Sequence, residues 1–519
     1  MNTSAARCSA PTQRLRPAAQ LLCLFCLAAT LCCCAVGPSF TPPKPDVPAQ
    51  WSPSATKPAE HATSQVSPQR PQTLDWWTTF EDPMLTSLIE RCARENLDVR
   101  EAVLRIEESR AQRSVTAAGL WPSLSANASY AHQRLSTNTP NGAIFGIAGH
   151  VPGLPPGVSI TNPYDQYQLG LSASWELDLF GRVRRSVEAA DADTLSSIEN
   201  GRDVLISLES DVAQAYIDLR GAQLRRSIVT ESLATQRELL DITRQRRDAG
   251  LTSDVDVENA LSEVHSTEAQ LPQLERELTQ DINQLSRLMS RPPETLRSEL
   301  STARPVPPVP TAVPIGIPGD LARRRPDIRR TEASLHAATA RVGVAVADLF
   351  PRFTISAAGG YQAQGLSHLI ESASRFLNIG PSIDLPLFDA GQRRATIHLQ
   401  DVRAQEAAID YARTVLSALQ EVENGVAAYT TDQDRRVSLE AASAASREAL
   451  TLARQRYEGG VTSFIEVLDA ERTLQQNELS LAETTTAVST DLVALYKALG
   501  GGWENAPGGA DSAPQKSVP

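Results

Sequence analysis

The sequence predicts a mixed α+β fold, mainly α, built as a tandem repeat of a strand pair followed by long coiled-coil helices. Three observations predict it. One phrase occurs twice, "RQRRDAGLTSDVDVENA" from Arg244 and "RQRYEGGVTSFIEVLDA" from Arg454, with Gly250 and Gly460 210 residues apart. Four short runs alternate apolar and polar residues with period two. Each pair of runs is followed by a long proline-free stretch with apolar residues at three–four spacing.

The strand runs come first. "SLSANASY" sets Leu124, Ala126, Ala128 and Tyr130 on one face and Ser123, Ser125, Asn127 and Ser129 on the other. "QLGLSASWELDL" sets Leu169, Leu171, Ala173, Trp175, Leu177 and Leu179 against Gly170, Ser172, Ser174, Glu176 and Asp178. In the second half, "RFTISAAGGYQ" sets Phe353, Ile355, Ala357 and Tyr361 against Thr354, Ser356 and Gln362. "LNIGPSIDLPL" sets Leu377, Ile379, Ile383, Leu385 and Leu387 against Asn378, Ser382 and Asp384. A tilted membrane-crossing strand needs about 9–11 residues, and the strands expected around these runs are long enough. A half-buried soluble sheet has the same alternation. Glu176, Asp178 and Asp384 suit either bulk solvent or a wet lumen.

The helices follow. The first long helix is predicted over 187–248, with Leu205, Leu208, Val212, Ala215, Leu219, Ala222, Val229, Leu233 and Leu240 on one stripe and Arg226 and Gln236 as interruptions. Its copy is predicted over 396–458. Some 60 residues at 1.5 Å each reach roughly 90 Å, so these helices need other helices to pack on. The chain turns at Gly250 or Gly460 and returns, over 254–290 or 464–499. The predicted organisation is a signal segment (1–33), an extended arm (34–80), a first repeat (81–290, strands about 122–135 and 167–180), a Pro-rich linker (291–325), a second repeat (326–500, strands about 352–363 and 376–388) and a flexible tail (501–519). The first repeat carries the Gly- and Pro-rich insertion "NTPNGAIFGIAGHVPGLPPGVSITNP", expected as an exposed loop.

At the N-terminus, Arg14 and Arg16 precede "LLCLFCLAATLCCC", too short to persist as a membrane-spanning helix. The segment resembles a bacterial lipoprotein signal, in which the cysteine after the cut becomes a diacylglyceryl thioether. Cys34 is the predicted site, because Leu31 then stands three residues before it; Cys33 departs from the usual small residue before the cut, so Cys32 and Cys33 stay open. Ala35 next to it favours, by the same resemblance, sorting to the outer membrane. A plain cleaved signal with incidental cysteines is the alternative. The one later cysteine, Cys92, sits in a helical pattern and reads as a small buried apolar residue, so no disulfide framework exists. No later segment has 18 uninterrupted apolar residues, so any membrane crossing is made by strands.

The net charge of −12 offers no basic face for nucleic acid. No HExxH, GxSxG, GxxxxGK or GxGxxG occurs, and the seven histidines have no ligand spacing, so neither an enzyme nor a metal or other cofactor is expected. Arg323, Arg324 and Arg325 before Pro326 read as a charged helix start rather than a phosphate site.

Four strands cannot close a barrel, and an open sheet leaves two unpaired edges, which hydrocarbon does not tolerate. Transmembrane strands therefore require oligomerisation. The chain resembles the TolC-type outer-membrane efflux ducts, in the lipoprotein branch serving RND multidrug pumps. The resemblance rests on "CAVGPSFTPPKPDVPAQW" from Cys34, "WWTTFEDPMLTSLIERCARENLDVREAVLRIEESRA" from Trp76, "RRPDIRRTEASLHAATARVGVAVADLFPRF" from Arg324 and "LYKALGGGW" from Leu495. It implies a homotrimer with a 12-stranded β-barrel in outer-membrane lipid and an α-helical barrel in the periplasm. It implies two partners, a periplasmic adaptor (membrane fusion protein) and an inner-membrane RND transporter, and a passive channel for drugs or other small solutes.

The repeated tips then have a purpose. By resemblance, Gly250, Leu251, Thr252, Gly460, Val461 and Thr462 form hairpin turns that dock the adaptor. Glu466 and Asp469, three apart on one helix face, make carboxylate rings in a trimer, and such rings favour cations. Ile465 matches an apolar gate residue of the family, Arg472 a gate arginine, Tyr457 a tyrosine of the closed-state network, and Asp256 an aspartate tying one hairpin to a neighbour. TolC carries an arginine where this chain has Thr462, so the lock differs in detail. A type I secretion outlet and a lipid-anchored coiled-coil scaffold without a channel are the competing readings.

Overall fold

The computed structural model describes residues 35–44, 47–52, 64–67, 69, 75–140, 143 and 162–503. The signal segment, Cys32, Cys33 and Cys34, most of the loop insertion and the tail beyond Trp503 lie outside the described residues. In chain order the main elements are β1 (Gln65–Ser67), a 3₁₀ turn (Trp76–Phe80), α1 (Pro83–Glu95), α2 (Leu97–Ala117), β2 (Ser123–Gln133), β3 (Tyr164–Leu177), α3 (Arg182–Asp248), α4 (Asp254–Glu268) and α5 (Leu271–Leu288). There follow β4 (Ala312–Pro314), α6 (Pro318–Arg324), α7 (Pro326–Ala347), β5 (Arg352–Ala363), β6 (Arg375–Asp384), α8 (Gln392–Glu458) and α9 (Phe464–Ala498).

Two compact units emerge. Among the described residues, one comprises those up to Thr41, those within Arg110–Ala192 and those of His336–Glu406; the other takes those within Pro42–Ser109, those of Asp193–Leu335 and those from Ala407 to Trp503. Neither is a sequence repeat, because each takes segments from both halves. The reason is strand pairing: a lone two-stranded ribbon keeps two open edges, so the strand pairs of both repeats join one sheet.

In the first unit that sheet has the order β2-β3-β5-β6, antiparallel throughout. Its register aligns the four alternating runs. Ala126 pairs with Leu171, Leu171 with Gly359, and Gly359 with Leu377. One face therefore carries Leu124, Leu171, Trp175, Ile355, Leu377 and Ile379, and the other Ser125, Ser172, Ser356 and Asn378. On the polar face Ser125 Oγ and Ser172 Oγ lie 2.8 Å apart, and Asn127 donates to Ser172 Oγ at 2.7 Å.

Three of the four strands end earlier than expected, β5 ends at Ala363 as expected, and the long helices begin earlier. Asp178, expected in the strand, instead accepts from Val183 N (3.1 Å) and Arg184 N (2.8 Å), which satisfies the free first-turn amides of α3. Asp389 does the same for Arg393 N before α8. Gly181 and Gly391 take positive φ in these turns. β6 stops at Asp384 rather than 388, because Asp384 pairs with Arg352, the first residue of its partner strand β5.

The second unit is helical. Its main core gathers Tyr216 and Leu219 of α3, Val422 and Tyr429 of α8, and Leu492 and Leu495 of α9. The arm contributes Trp51, Trp76, Trp77 and Phe80 to this core, and its β1 pairs in parallel with β4. The linker thus holds a strand, a short helix (Arg297–Leu300) and α6, and Arg325 within it is buried, paired with Asp327 and Glu421 at 2.7 Å. The first return helix is not continuous over 254–290. It breaks between Glu268 and Leu271, where Pro272 lacks an amide and crowds the preceding turn. The matching residue 210 positions on is Ala482, and α9 runs unbroken. Cys92 is buried, its Sγ donates to Leu288 O at 3.1 Å, and burial pushes its thiol up to about 12, as an inert core residue requires.

Candidate functional site

The hairpin tips lie wholly in the second unit. Each long helix ends in the same motif. Leu251 N donates to Arg246 O and Gly250 N to Arg247 O, both at 2.8 Å; Val461 N donates to Arg456 O at 2.9 Å and Gly460 N to Tyr457 O at 3.0 Å. This paired closure needs a left-handed residue, and Gly250 (φ 74°) and Gly460 (φ 72°) supply it. Both tips then expose an apolar residue just beyond the turn, Leu251 and Val461.

The two hairpins share one small core. Leu233 and Leu240 of α3, Val257 and Val264 of α4, Leu450 of α8, and Phe464, Val467 and Leu468 of α9 are buried together. A polar cluster interrupts it. Glu471 of α9 is 3% exposed, and its Oε1 accepts from Ser232 Oγ at 2.6 Å and from Gln236 Nε2 at 2.9 Å. Glu263 of α4, also buried, is gripped by Arg472 through Nε at 2.8 Å and through Nη2. Burial is the main cause holding the Glu471 carboxyl above its ordinary range; Ser232 and Gln236 pull it down and Glu263 pushes it up.

Ile465 is 57% exposed, and Glu466 and Asp469 are exposed on the same helix. Arg472 is placed against Glu263. Asp256 serves its own helix: it closes a capping box with Ser253 and accepts from Thr252 Oγ1. Burial opposes its ionisation, but the Thr252 and Ser253 hydrogen bonds prevail and hold its carboxyl below the usual range. Tyr457 is buried, with the Arg246 guanidinium 4.6 Å from its ring centroid and Phe464 edge-on at 5.6 Å. Its hydroxyl and Thr462 Oγ1 have no hydrogen-bond partner among the described residues. Thr252 and Thr462 are half-buried.

Sequence reasoning missed Glu471, Glu263, Ser232 and Arg246. The available signal was Gln236, an interruption of the α3 stripe, and Glu471, which stands on the buried stripe of α9 between Leu468 and Gln475.

The family model described as outer membrane efflux protein matches residues 88–291 and 317–501. The chain is 32% identical to the probable efflux pump outer membrane protein TtgC of Pseudomonas putida, over 96% of this chain and 99% of that protein. It is 32% identical to outer membrane protein OprJ of Pseudomonas aeruginosa, over 92% and 95% of the two chains. Among solved structures, the outer-membrane channel OprN is similar with a TM-score of 0.81 and 37% identity, covering 91% of this chain and 100% of that one. The chain belongs to the outer membrane efflux protein family: it is a TolC-type protein of the outer membrane that serves efflux.

Proposed function

We propose that three copies assemble into one duct, passively conducting drugs or other small solutes outward, fed by a periplasmic adaptor and an inner-membrane RND transporter. The protein works by conduction and catalyses no reaction. The observation carrying this reading is the four-stranded sheet with one continuous apolar face and two open edges, β2 and β6. In lipid every ladder group needs a partner. Three copies joined edge to edge supply twelve strands, with apolar residues toward lipid and the Ser/Asn face toward water. The relatives' names, an efflux pump component among them, agree with such a system. The test is native mass in detergent combined with planar-bilayer conductance. A conducting trimer is expected; a stable, non-conducting monomer would leave an anchored scaffold instead.

Lipid attachment at Cys34 belongs to the same proposal. The next residue, Ala35, abuts Gly181, where an added Cβ would come 2.8 Å from the Ala35 Cβ. Val36 N donates to Phe180 O at 3.1 Å, and Phe40 stacks on His336 with centroids 4.3 Å apart. The segment following Cys34 is thus held at the helix-side end of β3, where the sheet leaves its strands. An acyl chain beginning one residue earlier starts beside the membrane edge of such a sheet. Metabolic labelling with a clickable fatty acid is expected to mark the wild type and not Cys34→Ser. Label retained by that variant would move the site to Cys32 or Cys33.

A further inference from the structure

We infer that Glu471 is a proton-operated clasp between the two hairpins: neutral, it lets α9 close on α3, and ionised, it drives them apart. The clasp is a feature of the hairpin interface itself, and its consequence for an entrance rests on the duct reading above.

The geometry carries the inference. Glu471 stands where the three–four stripe of α9 demands an apolar residue, and only 3% of it reaches solvent. Both donors from α3, Ser232 and Gln236, go to Oε1. Oε2 is buried and has no hydrogen-bond partner among the described residues. A charged oxygen so placed is costly, and such a group takes up a proton instead.

The one nearby counter-charge, Arg472, is the weakest of the influences on this carboxyl and does not outweigh burial. From α4 the facing group is Glu263, of the same sign, and the neighbouring guanidinium of Arg472 is committed to Glu263. From α3 come only the uncharged Ser232 and Gln236. On α8, Leu450 shares the core, and the arginines one turn to either side, Arg447 and Arg454, are engaged by Glu478 and Glu238. Two carboxylates and one guanidinium therefore share the interface.

The tandem repeat isolates the feature. Moved by the 210-residue offset, Ser232, Gln236, Glu263 and Glu471 correspond to Ala442, Ser446, Thr473 and Leu261, none of which ionises. One hairpin contact of the repeat carries a titrating group, and its counterpart does not. Because the packed state favours the neutral acid, packing is strongest at low pH. It weakens as pH rises from the ordinary carboxylate range through the raised value of Glu471, and it stays weaker above that.

Hydrogen exchange of residues 464–475, in the full-length protein in detergent and corrected for intrinsic rates, tests this between pH 5 and pH 8. Protection in the wild type is expected to fall as the pH rises across this range. Glu471→Gln, which keeps the shape and an acceptor for Ser232, is expected to give a flat profile. Glu471→Leu, the residue the repeat carries at Leu261, is expected to be flat as well. A flat wild-type profile, or pH dependence surviving in both variants, overturns the clasp. Conductance of the same preparations separates the two ideas. A working pore with no pH-linked protection removes the clasp and leaves the duct. Linked protection without a pore removes the duct and leaves the clasp.

Discussion

Gly360→Ala is expected to abolish the proposed trimer, while Gly380→Ala, on the same polar face of the sheet, leaves it intact. Gly360 on β5 pairs with Gly170 on β3, and these central strands are where the strand pairs of the two repeats meet. A Cβ at Gly360 would sit 2.2 Å from Leu169 O and 2.5 Å from Gly170 Cα. Both obstacles are backbone, so no rotamer relieves them; the strands must separate. At Gly380 an added Cβ meets nothing within 4 Å. Separation splits the sheet into two ribbons and exposes further ladder groups, each costing several kcal/mol in hydrocarbon. Native mass and the heat-sensitive oligomer band on a denaturing gel read the outcome. The helical circular dichroism should persist, because the core around Tyr216, Val422 and Leu492 is not touched. An intact Gly360→Ala oligomer would mean that the β3–β5 seam does not hold the assembly together.

What was legible in the sequence follows from what is local. Period two is a property of a single strand, so the apolar face could be read run by run, and the β3–β5 register then joins those runs into one surface. The glycines of the tips were legible for the same reason: a left-handed helix end needs that residue wherever it occurs. Asp178 shows where local reading stops. It fits the alternation of "SWELDL" perfectly well as a strand residue, and only the chain turning at Gly181 makes it the cap of α3. The arm shows the same limit, since Trp51 and Trp76 find their core on helices hundreds of residues away; Trp51 donates to Gly316 O at 2.9 Å, 265 positions on. The clasp is the extreme case. Gln236 could be recognised as an interruption of a stripe, but its meaning depends on Glu471, 235 residues later and on another hairpin. Resemblance did not supply it either, because it directs attention to Asp469 and Arg472 as entrance residues, whereas the geometry gives Arg472 to Glu263.

The Arg472–Glu263 ion pair sets the second large effect. Arg472→Ala is expected to raise resting conductance by about 5- to 30-fold, corresponding to about 1–2 kcal/mol. The variant removes the counter-ion of Glu263, a buried carboxylate, and leaves it beside Glu471 in a shared core. An unpaired buried charge of this kind costs more than the pair itself contributes. Arg472 is 56% exposed, and solvent screens its bond to Glu263, which keeps the expected effect below that of a fully buried pair. The charge is relieved when the hairpins part and Glu263 meets water, so the cost appears as a shift toward the open entrance. Glu263→Gln should then suppress Arg472→Ala, because the neutral amide has no lost partner to mourn in a dry interface. Asp469 is exposed and makes no ion pair among the described residues, so Asp469→Ala adds little to Arg472→Ala if the lock lies within one chain. A large added effect of Asp469→Ala, with no suppression by Glu263→Gln, would place the lock between chains, on a carboxylate ring at the axis, and would return Arg472 to the role that resemblance gave it.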